Sequence, residues 1–566
     1  MDQPVELSSN ACRRALFTPE LLDLIFTYLD RTTNVTNACV CKQWSDIALD
    51  HVWRNVDDLL QLFRILKSIK LSSIEERYEF TSTPGPDDWL RFEKYARRVR
   101  SLRFNSDEYE HLGDVLDGVA RTRTSFDILP YMHTLEWITT EKLYLERCAM
   151  FLHSRLKHLV VSTHPAACRS TLFKDISARV PSIHSLKLDT PEYDASLEAD
   201  IRTLLQNLPE LRKFSLPEFY LTLPIFEELS RMKNISVIEF EHVLQFENTI
   251  PDATSFNPIL AENAFPALWD LALTARIDHV GAFLRSPFAP INITSFYINS
   301  YDLHMPSEMH AFLLTLSQQC QLLSQLYVKL LHKETHMTTF VPEHQLSYDT
   351  IGPVLSFPNL TTFELIHKYP LKITLDEVDD LARRWPSLES LMLNAEPLFL
   401  DPDLCMLDLR ALLPFARHCP NLRRLGLYVN ATEAKMHASL SFDIRPFTAL
   451  QDLSVGTSLA EDQHAVAGFL SMLVPPNCKL EVGITWINYG TDTFRTLDLV
   501  LDSVLSERGQ AWLAISQLLP VLIEFRREDV EKSRGLHKEV EDLRMRNRQL
   551  MAKINDVRSN TSCVVA

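Results

Sequence analysis

The eight residues PSIHSLKL, Pro181 to Leu188, return in altered form along the middle of this 566-residue chain. PELRKFSL stands at Pro209 to Leu216, PALWDLAL at Pro266 to Leu273 and PNLTTFEL at Pro358 to Leu365. PSLESLML at Pro386 to Leu393 and PNLRRLGL at Pro420 to Leu427 complete the clear set. Each copy places one apolar residue three positions ahead of an apolar pair spaced two apart. A spacing of two predicts a short strand with one apolar face. One such strand cannot bury that face alone, so the copies predict strands laid side by side in parallel over a shared core.

Weaker copies end at Phe104, Trp137, Val161, Phe240, Ile298, Val328 and Val455, with Ile484 as a last rung. Successive copies lie about 24 to 37 residues apart, around the period of leucine-rich repeats. The fold class that follows is α/β. An irregular leucine-rich-repeat-like solenoid fills residues 95–500, with parallel strands on a concave side and helices on a convex side. Leu375 to Arg384 and Ser458 to Leu473 read as two of those helices, and His332 to Ser347 as a loop insertion. The asparagine usual after such a strand occurs only sporadically, as at Asn394 and Asn430. A generic α/β domain with many short strands is the competing architecture.

In a repeat of this kind the residue between the two strand apolars faces the concave side. That rule selects Glu136, Lys187, Glu239, Tyr297, Tyr327, Glu364 and Met392 as candidate contacts to a protein target, together with Ser215, Ala272, Gly426 and Ser454. The set is mixed in charge and pairs no nucleophile with a base. It reads as a recognition surface.

Composition narrows the function further. A formal net charge of -17 argues against a nucleic-acid binder. The ten cysteines form no CxxC pair, so no zinc site is expected. His418-Cys419 and His164 near Cys168 read as core or surface residues. The twelve glycines make no GxGxxG, P-loop or GxSxG motif, which leaves no expected cofactor and no catalytic residue. Acidic pairs such as Asp57-Asp58 and Asp379-Asp380 read as solvated helix ends. With no signal peptide and no long apolar run, the chain is expected to be intracellular, in the cytoplasm or nucleus, with reduced thiols.

Ahead of the repeats stands FTPELLDLIFTYLD, Phe17 to Asp30. Leu21, Leu22, Ile25, Phe26 and Leu29 fall on one helical face, Thr18 is placed to cap the helix, and Pro19 fits its first turn. After a polar gap, Val40, Trp44, Ile47 and Ala48 mark a second amphipathic helix, with Trp53 behind it. A unit of about forty residues rarely holds together alone, so its apolar surface is expected to meet a partner or the following domain.

These residues resemble an F-box, assigned to residues 13–57. Leu16, Glu20, Leu21, Leu22, Ile25, Phe26, Tyr28, Leu29, Val40, Cys41, Trp44 and Trp53 match the family pattern, while Pro19 sits one place from the usual proline. Residues 58–105, read as a helical linker or cap, resemble the corresponding part of F-box proteins from mushroom-forming fungi. The resemblance implies a non-catalytic adaptor of an SCF-type, cullin-RING ubiquitin ligase. Leu16, Pro19, Leu21, Leu22, Ile25, Phe26, Leu29, Val40, Trp44, Ile47 and Trp53 would then dock Skp1, and the repeats would hold an unknown protein target. Two alternatives stay open: a Skp1 binder working outside ubiquitination, and a repeat scaffold or membrane-tethered binding protein.

The last sixty residues change character. Over residues 505–558 a helix is expected, and Leu536, Val540, Leu543, Asn547, Leu550, Ile554 and Val557 step by four and three along it. That is a short coiled-coil seam with Asn547 at an a position, and Glu539 and Arg544 sit where a g-to-e′ pair joins parallel chains. Self-association as a homodimer and a lone helix packed on the repeats are both open. Residues 559–566 read as a disordered tail in which Cys563-Val-Val-Ala566 fits a farnesylation signal. Arg544, Arg546, Arg548, Lys553 and Arg558 would support membrane contact there.

Overall fold

The computed structural model describes residues 16–72, 77–109, 111–162, 171–241, 256–330, 340–432, 444–484 and 499–561. Two compact units make up the chain, one mainly of residues up to Asn299 and one mainly from Ser300 onwards.

The first unit begins with three helices, α1 (Pro19–Thr27), α2 (Arg31–Asn37) and α3 (Lys42–Arg54). Where a polar gap was expected there is a helix, α2. Asp30 starts it, its carboxylate accepting from the Thr33 N–H at 2.7 Å. Its buried residue is polar: the Asn34 amide donates to the Phe26 and Leu29 carbonyls around the end of α1.

α3 runs straight into a two-residue strand, Asn55–Val56, which pairs in parallel with Ser101–Asn105. Thr134–Ile138, His158–Ser162, Ser185–Asp189, Lys213–Pro217, Val237–Glu241, Asp270–Thr274 and Ser295–Ser300 follow, each parallel to the one before. The register is that of the sequence phrase. Leu102, Leu135, Leu159, Leu186, Phe214, Ile238, Leu271 and Phe296 stand opposite one another in turn, all essentially without solvent contact. Each such side chain contributes roughly 1.5–3 kcal/mol on burial, so the column holds the strands together more firmly than strand propensity does. Helices such as Ser196–Gln206 and Ile277–Leu284 cover the inward side. Within the expected cap, Leu59–Phe63 and Pro86–Ala96 are helical, but Ile69–Leu71 and Tyr78–Phe80 form an antiparallel pair that the sequence reading did not include.

The second unit repeats the plan. Gln325–Leu330, Thr362–Ile366, Ser390–Leu393, Arg424–Leu427, Asp452–Gly456 and Lys479–Val482 are parallel neighbours with Leu326, Phe363, Leu391, Leu425, Leu453 and Leu480 in register. The last rung therefore ends at Val482, not at Ile484. Helix Leu375–Arg384 has the expected bounds, closed by a Thr374/Glu377 capping box. The helix expected from Ser458 starts at Gln463, because Asp462 caps it and Leu459–Ala460 pairs instead with Asn430–Ala431. Asn394 shows why a repeat keeps an asparagine here. With φ at 50°, its side chain accepts from the His367 N–H and donates to the Tyr369 carbonyl, both at 2.8 Å, tying one turn to the previous one.

A long helix, Leu499–Thr561, closes the chain. Its first part is docked: Trp512, Ile515, Leu519 and Ile523 are buried, and the Trp512 indole donates to the Ser458 carbonyl at 2.8 Å. Arg508, also buried, donates to the Leu400 and Thr457 carbonyls and to the Tyr428 hydroxyl. From Arg527 to Lys553 every side chain is exposed. Leu536, Val540, Leu543 and Leu550 of the expected seam are among them, so packing on the repeats accounts for the first part of the helix only. The side chains of Ile554 and Val557, and the whole of Cys563, lie outside the described residues.

Candidate functional site

α1 is apolar on two sides, and the two sides have different fates. Leu22 and Phe26, one turn apart, point into the three-helix unit and are 0% and 2% exposed. They pack with Ala48, and with Ala38, Trp44 and Ile47 around them. Phe26 meets the Trp44 ring edge-on at 5.5 Å. The Trp44 indole donates to the Leu16 carbonyl at 3.0 Å, and the Gln43 amide to the Phe17 carbonyl at 2.8 Å. Those two bonds fix the segment that leads into α1. Thr18 sits at the N-cap position, but its side chain makes no capping bond.

The other side of α1 is uncovered. Leu21, Leu24, Ile25, Tyr28 and Leu29 lie at i, i+3, i+4, i+7 and i+8 and are all exposed, Tyr28 by 83%. Leu16 and Phe17 before the helix, and Val35 and Val40 after it, are exposed as well. Single exposed apolar residues need no explanation, but a whole helix stripe with apolar flanks marks a surface made to be covered.

This geometry sorts the residues expected to dock a partner. Leu16, Pro19, Leu21, Ile25, Leu29 and Val40 are on the outside. Leu22 and Phe26 are corrected: they are core, because a unit this small needs its largest apolar side chains for its own interior. Trp44 and Ile47 are half-buried around that core. Trp53 is turned the other way, its ring edge-on to Tyr95 at 5.6 Å in helix Pro86–Ala96. Arg98 binds the same junction, donating to the Asp46 carbonyl at 2.7 Å and to the carboxylates of Asp46 and Asp50. The helices are thus anchored to the cap by α3, which leaves α1 on the outside. Phe17, Leu24, Tyr28 and Val35 were not selected from the sequence as contacts, although the spacing of Leu24 and Tyr28 to Leu21 carried the signal for those two.

The strand-face residues fall into two groups. Glu136, Lys187, Glu239 and Tyr297 in the first unit, and Tyr327, Glu364 and Met392 in the second, are half-exposed. Ser215, Ala272, Gly426 and Ser454 are covered instead. Ser215 stands in register between the longer Lys187 and Glu239. At Gly426, a Cβ would stand 2.6 Å from the Met392 sulfur. Three of the acids already have a cation on the preceding rung: Arg103 with Glu136 at 3.3 Å, Lys213 with Glu239 at 2.7 Å, and Lys329 with Glu364 at 3.3 Å. Tyr297 is edge-on to Phe240 at 5.3 Å. Each unit thus presents a patterned face of matched charges and rings.

Among the described residues, the buried Cys320 and Cys419 thiols and the buried His367 imidazole are held away from their reactive forms. Burial pushes the Cys320 and Cys419 thiols up to about 12, far from the thiolate form a nucleophile needs. Burial likewise pushes His367 down to about 4, against a hydrogen bond to the Tyr369 carbonyl. Asp58 caps helix Leu59–Phe63, while Asp379 and Asp380 pair with Arg383 and Arg384 one turn on. Among the described residues, no group of His, Cys, Asp and Glu is placed to hold a metal ion, and no helix is long and apolar enough to cross a membrane.

Residues 19–58, which span α1 to α3 and the first strand, match the F-box-like family model. No curated protein matches the chain. Among solved structures, the chain is similar to the complex of Rad7 and Elc1 in yeast, at 14% identity over 85% of this chain and 98% of that one, with a TM-score of 0.35. It is also similar to the leucine-rich repeat-containing protein LegL7 from Legionella pneumophila, at 12% identity over 62% of this chain and 90% of that one, with a TM-score of 0.30.

Proposed function

We propose that the chain is the substrate-recognition adaptor of an SCF-type ubiquitin ligase. The stripe Leu21, Leu24, Ile25, Tyr28 and Leu29 docks Skp1, and through it the cullin-RING assembly. The strand faces of the repeats hold a protein target. The observation that carries this reading is the uncovered side of α1, in a segment that matches the F-box-like model. The adaptor needs no reactive group, because its contribution is to hold a target lysine near a loaded conjugating enzyme and so raise the effective concentration. Purified full-length chain mixed with a Skp1 protein should elute as a one-to-one complex in size-exclusion chromatography with light scattering. Separate elution of the two at micromolar concentrations would sink the proposal and favour a repeat scaffold whose α1 stripe meets something else.

A second reading concerns the long helix. We infer that its uncovered seam pairs with the same seam of another copy. Leu536, Val540, Leu543 and Leu550 are exposed along one line, and Glu539 of one chain is placed to meet Arg544 of the other. Asn547 in the line selects a two-stranded parallel pair. Full-length protein should then show twice the 65.2 kDa chain mass, and the Leu543→Asp, Leu550→Asp double variant the single mass. A wild-type monomer at tens of micromolar would rule the pairing out.

A further inference from the structure

In the first unit, the residue just ahead of each strand holds a fixed place. Its N–H donates to the carbonyl of its counterpart one rung earlier. The bonds run from Arg100 to Arg54, His133 to Arg100, Lys157 to His133, His184 to Lys157 and Arg212 to His184, all at 2.8–2.9 Å. Six successive rungs therefore carry a cation or an imidazole at the strand-entry edge, beginning at the last residue of α3. At a rung spacing of about 4.8 Å the column is roughly 24 Å long. It stops at Arg212, since the next places are Ser236, Trp269 and Thr294.

The backbone bonds form whatever the side chain, so the stack does not require basic residues here. None of the side chains of Arg54, Arg100, Lys157 and Arg212 makes an ion pair to a carboxylate among the described residues, and all four are exposed or half-exposed. The cations crowd one another. Burial and then the charges of His158, Arg100 and Arg54 hold His133 below its ordinary value. Burial and then Lys157, Arg212 and His158 do the same to His184, with Glu210 opposing them. Self-repulsion of this kind costs stability and is relieved by an anion.

We propose that this edge is a docking site for an extended, Asp/Glu-rich segment of a partner protein, about seven residues long at about 3.3 Å per residue. A short acidic peptide senses the local column, whereas a long nucleic acid also senses the whole chain at a net charge of -17. Single-stranded nucleic acid further needs free ring faces for its bases. Alongside the column itself the exposed ring of Tyr131 already lies between the guanidinium groups of Arg100 and Arg155, at 5.4 and 4.9 Å, and the exposed Trp269 stands two places beyond its end. The proposal is independent of the α1 partner and of any role in ubiquitination.

Fluorescence anisotropy tests it, with full-length protein and a labelled peptide of about twelve Asp and Glu residues. The Lys157→Glu, Arg212→Glu double variant should bind about tenfold or more weakly, with unchanged circular dichroism and melting. Lys157→Gln with Arg212→Gln, which removes charge without reversing it, should lose part of the affinity. A Lys142→Glu, Lys174→Glu control on the helix side should bind as the wild type does, and an Asn/Gln peptide should not bind at all. Equal peptide binding by the wild type and both column variants would overturn the proposal. So would tighter binding of an oligothymidylate of the same length.

Discussion

An Ile25→Asp chain should fold like the wild type and no longer retain Skp1, the partner proposed for α1, while a Leu22→Asp chain should lose its N-terminal helices altogether. The two residues are three apart on α1 and chemically alike, so the contrast isolates position. Ile25 is 42% exposed, and an aspartate there costs the free chain no more than about 0.5 kcal/mol. In a docked interface the same carboxylate is desolvated without a partner, and binding weakens by about 2–4 kcal/mol, or roughly thirtyfold to a thousandfold. Leu22 is fully buried. Removing it forfeits about 2–5 kcal/mol of burial and cavity energy, and the buried charge adds several more. Limited proteolysis of residues 16–58 and Skp1 retention, measured on both variants, separate the outcomes. Normal retention by the Ile25→Asp chain would show that the outer stripe is not the interface.

Trp512→Ala should release the long helix from the second unit. The indole is fully buried and its N–H is donated to the Ser458 carbonyl. Truncation costs about 3–5 kcal/mol and leaves that carbonyl without its donor. Arg508→Met should act in the same direction, because the Leu400 and Thr457 carbonyls and the Tyr428 hydroxyl then lose their shared cation. Leu513→Ala, one residue from Trp512 but 56% exposed, should change little. Hydrogen exchange reports the difference: amides of helix Gln463–Leu473 should exchange faster in the first two variants than in the third. Equal protection in all of them would mean that the long helix contributes no stability there.

The repeat was legible because each rung writes its own burial pattern, as in the triad Ile183, Leu186 and Leu188. α2 was not, because its buried residue is Asn34 and its start signal is the Asp30–Thr33 cap, neither of which has an apolar period. Leu22 and Phe26 were assigned to the right helix and the wrong side. Both sides of α1 are apolar, and only the position of α3 decides which one is inner. Strand faces were read correctly in alternation, but exposure depends on the neighbouring rung. Ser215 is covered while Glu136 is open, although both stand at the same place in the phrase. The basic column escaped for a related reason. Its members are about 25 to 45 residues apart in the chain and meet only once the strands are stacked.

The small interior of the three N-terminal helices also sets how long an unoccupied chain survives. Leu22, Phe26 and Ala48 are its buried apolar core, while the stripe on the far side of α1 gains nothing from water. Binding at that stripe adds to the stability of the helices by mass action, so the occupied chain opens there less often than the free one. Proteolysis of transiently opened segments follows the open population. On the proposed function, turnover of the protein would thereby be coupled to partner supply, with copies in excess of their partner cleared first from the end that the partner would have held.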